Sequence, residues 1–141
     1  RNVVATWTGA ATMTITGIDE HGETVVEANA SGTSIAGKKA FKTVTAVDVS
    51  VDVTGATVGT GTVLGLPRVL ESTGQVLAEM EDGAAPTAGT VVAAATAEPS
   101  ATTGDIRGTY APNGAPNGGK TLKLLVALRD PQATGGAQYA G

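Results

Sequence analysis

Polar and apolar residues alternate with a period of two along much of this chain. Across residues 43–54, Val47, Val49, Val51 and Val53 alternate with Asp48, Ser50, Asp52 and Thr54. Successive side chains of a strand point to opposite faces, so the run reads as a strand whose apolar face covers a core while the other meets solvent or a partner. A helix, with its period of 3.6, could not separate the two sets. Within residues 38–53 the apolar phase changes between Val44 and Val47, which predicts a bulge or bend near Ala46.

The same reading applied elsewhere predicts a meander at the start of the chain. Residues 3–8 are a short strand, and residues 11–18 alternate Met13 and Ile15 against Thr12, Thr14 and Thr16. Asp19-Glu20-His21-Gly22 supplies a turn, with Gly22 free to take positive φ, and residues 23–28 return as the hairpin partner. Gly55, Gly59, Gly61 and Gly65 then recur before Pro67, as in a strand edge turning a corner. Residues 69–81 fit either one helical turn around Val76, Leu77 and Met80 or a strand from Gln75. Residues 82–89 and 98–104 read as loops, 90–95, 105–110 and 121–128 as strands. The segment 110–119, with two Pro and two Asn-Gly pairs, reads as tight turns. The tail 130–141 is expected to be extended. Short strands with turn signals every ~8–12 residues define an all-β chain, an antiparallel β-sandwich or jelly-roll-like barrel with long loops. Its 141 residues fit a single domain.

Composition then limits the core. Aromatics are 3% of the chain: Trp7, Phe41, Tyr110 and Tyr139. Each large ring would bury ~150–250 Å², far more than the abundant Ala and Gly can. A thin core implies a monomer of modest stability that gains from assembly. A net charge of −4 argues against a nucleic-acid surface, and Lys38, Lys39 and Lys42 are too few for one. No apolar run approaches the ~20 residues of a membrane-spanning helix. The absence of Cys excludes disulfides and thiolate metal sites. The chain starts at Arg1 without an initiator Met or a secretory h-region, so something is expected to precede it in the gene product.

Candidate chemistry is sparse. Gly114-Ala-Pro-Asn-Gly-Gly-Lys120-Thr121 matches the phosphate-cradling P-loop pattern, but that loop works between a buried strand and a helix. Here the residues after Thr121 alternate like a strand, so a turn-rich loop is the better reading. His21, the only histidine, sits in a turn beside Asp19, Glu20 and Glu23, which could at best gather a weak calcium ion. Asp48 and Asp52 share a strand face, where outward charge discourages edge-to-edge aggregation. No catalytic, metal or cofactor residues are assigned. Trp7, Tyr110 and Tyr139 are the candidate interface residues; each could also be core, the commoner place for a residue such as Trp7, whereas Tyr139 has glycine-rich surroundings that give it little local structure to bury it.

Three stretches, Ala11-Thr-Met-Thr-Ile-Thr-Gly-Ile-Asp-Glu-His-Gly-Glu-Thr, Ala36-Gly-Lys-Lys-Ala-Phe-Lys-Thr-Val-Thr-Ala-Val and Val58-Gly-Thr-Gly-Thr-Val-Leu-Gly-Leu-Pro67, resemble small virion structural proteins of tailed bacteriophages. These are the capsid decoration or cement proteins. The resemblance implies a β-sandwich on the capsid exterior, bound to the major capsid protein as a homodimer or homotrimer, with no catalytic residues. A phage tail, fibre or cell-surface module binding a receptor or glycan is the alternative. It would need an exposed patch from Trp7, Tyr110, Asn113 and Asn117.

Overall fold

The computed structural model describes residues 1–128 and is all-β. Strands β1 (Val3–Ala11) and β2 (Met13–Ile18) are one ribbon interrupted at Thr12. In the same way β3 (Thr24–Ala28) and β4 (Gly32–Ala36) continue each other across 29–31, and β5 (Thr43–Val49) and β6 (Thr54–Thr60) across 50–53. Every pairing is antiparallel. One sheet has the order β4-β1-β6, and the other β3-β2-β5. Three ribbons therefore run side by side and bend together. Polar side chains fix the corner: Asn29 Oδ1 accepts from Met13 N at 2.6 Å, and Thr12 N donates to Ser50 Oγ at 3.0 Å.

Between the two sheets lies the core. Val3, Ala5, Trp7 and Ile35 come from the first sheet, Met13 and Ile15 from the second, and Phe41 from the segment before β5. The alternation of residues 13–16 is reproduced: Met13 and Ile15 are buried while Thr14 and Thr16 are half-buried. The hairpin turn also forms as the sequence predicts, with Gly22 at φ 84°. Asp19 Oδ1 accepts from His21 N at 2.8 Å and Glu23 N at 2.9 Å, an Asx turn that fixes the loop.

Two bulges bend the third ribbon. Thr16 faces Ala46 but Gly17 faces Val44, so Thr45 is the extra residue, and its hydroxyl donates to Thr16 O at 3.1 Å. That is the phase change predicted near Ala46. In β6, Thr6 faces Thr57 and Thr8 faces Thr54, leaving Gly55 and Ala56 opposite Trp7. Gly55 takes φ 61°, a left-handed conformation that a residue without Cβ adopts at little cost.

The remaining chain adds β7 (Leu64–Gly65), a 3₁₀ turn at Thr73–Gln75, β8 (Val76–Glu81), β9 (Thr90–Val92), β10 (Thr109–Ala111) and β11 (Leu122–Val126). They form a small sheet of order β7-β10-β9 and a β11-β8 pair. Of the two readings of residues 69–81 the strand holds: Val76, Leu77 and Met80 lie in β8, and the 3₁₀ turn precedes them at Thr73–Gln75.

Three expectations are corrected. The apolar face of residues 43–54 covers the core only at its end: Val53 packs against it, but β5 stops at Val49, where Ser50 bonds Thr12, and Val51 is 55% exposed. Residues 105–108 are no strand, because the Asp105 carboxylate accepts from Arg107 N at 2.9 Å and Gly108 N returns to Asp105 O at 3.2 Å. Nor do the sheets close into a barrel among the described residues; the sandwich is open.

Candidate functional site

The two flanks of the folded ribbon end differently. Across the second sheet, Ile15 faces Glu27 on one side and Val47 on the other. Ile15 points into the core, so both neighbours occupy inward positions.

On the β3–β4 flank the inward position is closed by charge. Glu27 is buried and accepts from Lys38 N at 2.5 Å and Lys39 N at 3.3 Å, tying the edge of one sheet to the end of the other. Burial pushes its carboxyl above the ordinary carboxylate range, with the two N–H donors and the neighbouring lysines pulling partly back. Lys39 Nζ donates to Val26 O at 2.9 Å and Ser100 O at 2.6 Å. Burial lowers its pKa, opposed by Glu27 and Asp105. A strap from the distant segment 100–105 completes the closure: Ala28 N bonds Ala101 O at 2.8 Å, and Ala40 N bonds Asp105 Oδ2 at 3.0 Å. Nearby, burial works to raise the Asp19 pKa. The Arg107 guanidinium and the Glu23 and His21 N–H groups outweigh it and hold that carboxyl below its usual value. Neither Glu27 nor Asp105 stands out in the sequence, and Lys39 does so only as one of the three clustered lysines. The one available signal was Glu27 itself, a charge in the same strand phase as Val25, which packs on the core.

No such closure exists among the described residues on the β5–β6 flank. Val47 and Val49 face Ile15 and Met13, and Val58 faces Ala5, so all three sit in the inward phase beside buried residues. They are nonetheless 38%, 39% and 51% exposed. β5 and β6 are the outermost strands of their sheets here. Every residue of β6 is exposed. The sheet β4-β1-β6 carries no charged residue in any strand. Its outer face is a shallow groove of 450 Å³ lined by small uncharged residues including Val4, Thr6, Ser34, Ala36 and Thr57. Exposed neutral apolar surface of this kind marks interaction sites in soluble proteins.

The residues picked out from sequence lie elsewhere. Trp7 and Tyr110 are only 6% and 3% exposed, so their rings are spent inside the chain rather than offered to a partner. Trp7 packs in the core opposite the β6 bulge, and its Nε1 finds no acceptor among the described residues. The Tyr110 hydroxyl donates to Glu79 Oε2 at 2.8 Å, and burial together with that carboxylate raises its pKa to about 12. Tyr139 lies outside the described residues.

The 114–121 loop precedes strand β11, not a helix, and Lys120 Nζ pairs with Glu81 Oε1 at 2.5 Å. Asn117 Oδ1 takes the Gly119 and Lys120 N–H groups, so this backbone closes on itself. His21 is exposed, while its neighbour Asp19 is engaged by the turn and Arg107. Asp48 and Asp52 are exposed, as expected of a solvated face. A cavity of 220 Å³ beside Phe41, Leu64 and Arg107 falls below the ~300–1,000 Å³ usual for ligand pockets.

Comparison with known protein families, with curated proteins and with solved structures returns no match.

Proposed function

We propose that this chain is a structural β module finished by its neighbours: a decoration or cement protein on the outside of a tailed-phage capsid. It sits on the major capsid protein as a homodimer or homotrimer and carries no catalytic residue or cofactor of its own. The observation behind this reading is the open flank, where inward-phase valines are left 38–51% exposed next to an uncharged edge strand. Such a surface is costly on a free monomer and suited to burial in an assembly, where strand addition and shared apolar contact raise the cost of separating capsomers. The buried aromatics take away the exposed rings that a glycan- or receptor-binding patch would use, which favours cement over the fibre or cell-surface alternative.

Purified phage heads lacking decoration, mixed with the chain and sedimented, test the proposal. Saturation at hundreds of copies per particle is the expected outcome. A handful of copies would assign the chain to a tail or fibre, and no binding would end the reading. We further expect the tail with Tyr139 to lie on a neighbouring subunit. Truncation after Pro131 then lowers occupancy on the particle, and unchanged occupancy refutes that role.

A further inference from the structure

We propose that β6 is a homodimer edge. It pairs antiparallel with β6 of a second copy about a two-fold axis at Val58, joining two three-stranded sheets into one of six strands, β4-β1-β6-β6-β1-β4.

Charge selects the edge. An isologous contact sets each residue against its own copy or a near neighbour, so any charge near the axis meets its like. From Val53 to Pro67 the chain has none. The other long free edge, β5, carries Asp48 and would bring carboxylates together. The β3 edge is capped by the Ala28–Ala101 bond and backed by buried Glu27. β8 and β11 carry Glu79, Glu81 and Lys123. β4, the other uncharged edge of the same sheet, is five residues long against seven for β6 and runs on into Lys38 and Lys39, so among the described strands β6 is the longest edge that can meet itself without a like-charge penalty.

Strand geometry then selects the axis. Gly55 at φ 61° ends the regular part of β6, while Thr57, Val58, Gly59 and Thr60 pair with β1 in unbroken register. Centring the two-fold on Val58 uses that regular stretch. Val58 meets Val58 of the second copy, and Thr57 meets its Gly59. Val58 is the bulkiest side chain of β6 and half exposed despite its inward phase, so the cross-strand valine pair covers the defect the monomer leaves. Pairing also satisfies the backbone groups on the free edge, and a closed two-fold stops further strand addition there.

The chain has no cysteine, which makes single-cysteine cross-linking clean. Under mild oxidation Val58→Cys is expected to give a covalent dimer, while Thr33→Cys on the opposite edge strand stays monomeric. In sedimentation velocity, Val58→Lys and the more conservative Thr57→Lys each raise the dimer dissociation constant about tenfold or more, because like charges are forced together. Thr33→Lys leaves it unchanged. Three results would overturn the proposal: a wild-type chain that stays monomeric at all concentrations, a dimer surviving both β6 lysines, or a dimer lost only on deleting residues 129–141. The β6 contact rests on the same open flank as the capsid reading and is the homodimer contact of that reading, and the two can fail separately. A β6 dimer that ignores phage heads ends that reading alone, and a chain that coats heads without a β6 contact, for instance as a trimer held elsewhere, ends this one alone.

Discussion

Ile15 has a glutamate on one side and a valine on the other, and these two neighbours divide the molecule. Toward β3 and β4, the chain spends a buried carboxylate, a buried lysine and a strap of residues 100–105 to close the sandwich. Toward β5 and β6 it supplies no buried charge and only Val53 against the core, and the inward-phase Val47, Val49 and Val58 stay 38–51% exposed. One flank is thus completed by folding within the chain, and the other is left to be completed between chains. A flank sealed by charge-assisted hydrogen bonds is finished inside one copy, since buried charges tolerate only partners fixed in place. A flank of bare valine and neutral backbone stays available to whatever arrives.

The comparison is first tested by truncating across the row. Ile15→Ala, at a fully buried position shared by both flanks, is expected to cost about 2–5 kcal/mol in denaturant unfolding. Glu27→Ala leaves the Lys38 and Lys39 N–H groups without their acceptor and is expected to cost about 1–3 kcal/mol. Its pH dependence has a definite sign. Because the folded pKa lies above the ordinary 4.5, the folded chain holds this proton more tightly than the unfolded one. The stability that Glu27 contributes is therefore largest in acid and declines as pH rises from about 4.5 to the raised value. The gap between wild type and Glu27→Ala should narrow across that window. A gap that widens with pH would mean that the two N–H donors and the lysines outweigh burial and that the folded pKa lies below the ordinary one.

Local rules explain which parts of this were legible in the sequence. Alternation gave Met13 and Ile15 their buried phase, Asp19 and Gly22 marked the turn, and the phase slip between Val44 and Val47 located the bulge. Each depends on neighbours a few residues away. The closed flank does not: Lys39 finds Ser100, Ala28 finds Ala101 and Asp19 finds Arg107 across 60 residues or more, and no periodicity encodes such meetings. The valines of 43–54 misled for a related reason. Period two fixes which way a side chain points but not whether a third layer lies there. Trp7 and Tyr110 are ambiguous in the sequence because large rings serve interfaces and cores alike, and packing decides for the core.

A smaller effect probes the anchor of the strap. The strap runs into β10, and the hydroxyl of Tyr110 in that strand reaches Glu79 of β8. Tyr110→Phe removes that bond but leaves Glu79 its contact with Gly89 N at 2.8 Å, so a loss of about 1 kcal/mol is expected. With the folded pKa raised to about 12, the contribution is complete below pH 10 and disappears as pH climbs from 10 to 12. In a Tyr139→Phe background, ultraviolet titration should therefore find the remaining phenol ionising near 12. A midpoint near 10 would release Tyr110 from Glu79 and loosen the strap argument with it.

The smallest effect on the monomer is the one that bears hardest on the open flank. Val47→Thr and Val49→Thr keep the β-branched shape and change one methyl to hydroxyl, at positions that already meet water. If the flank is bare in the free chain, unfolding free energy should move by no more than about 0.5 kcal/mol. The same two changes should lower occupancy on phage heads, because an assembly that buries those positions must desolvate the new hydroxyls. The two readouts have to separate. A double variant losing about 2 kcal/mol as a free chain would mean that Val47 and Val49 are already covered, and the contrast between the flanks would collapse. A double variant that neither destabilises the chain nor weakens attachment would keep the bare flank but remove it from the contact, leaving β6 and the uncharged outer face of its sheet to hold the particle.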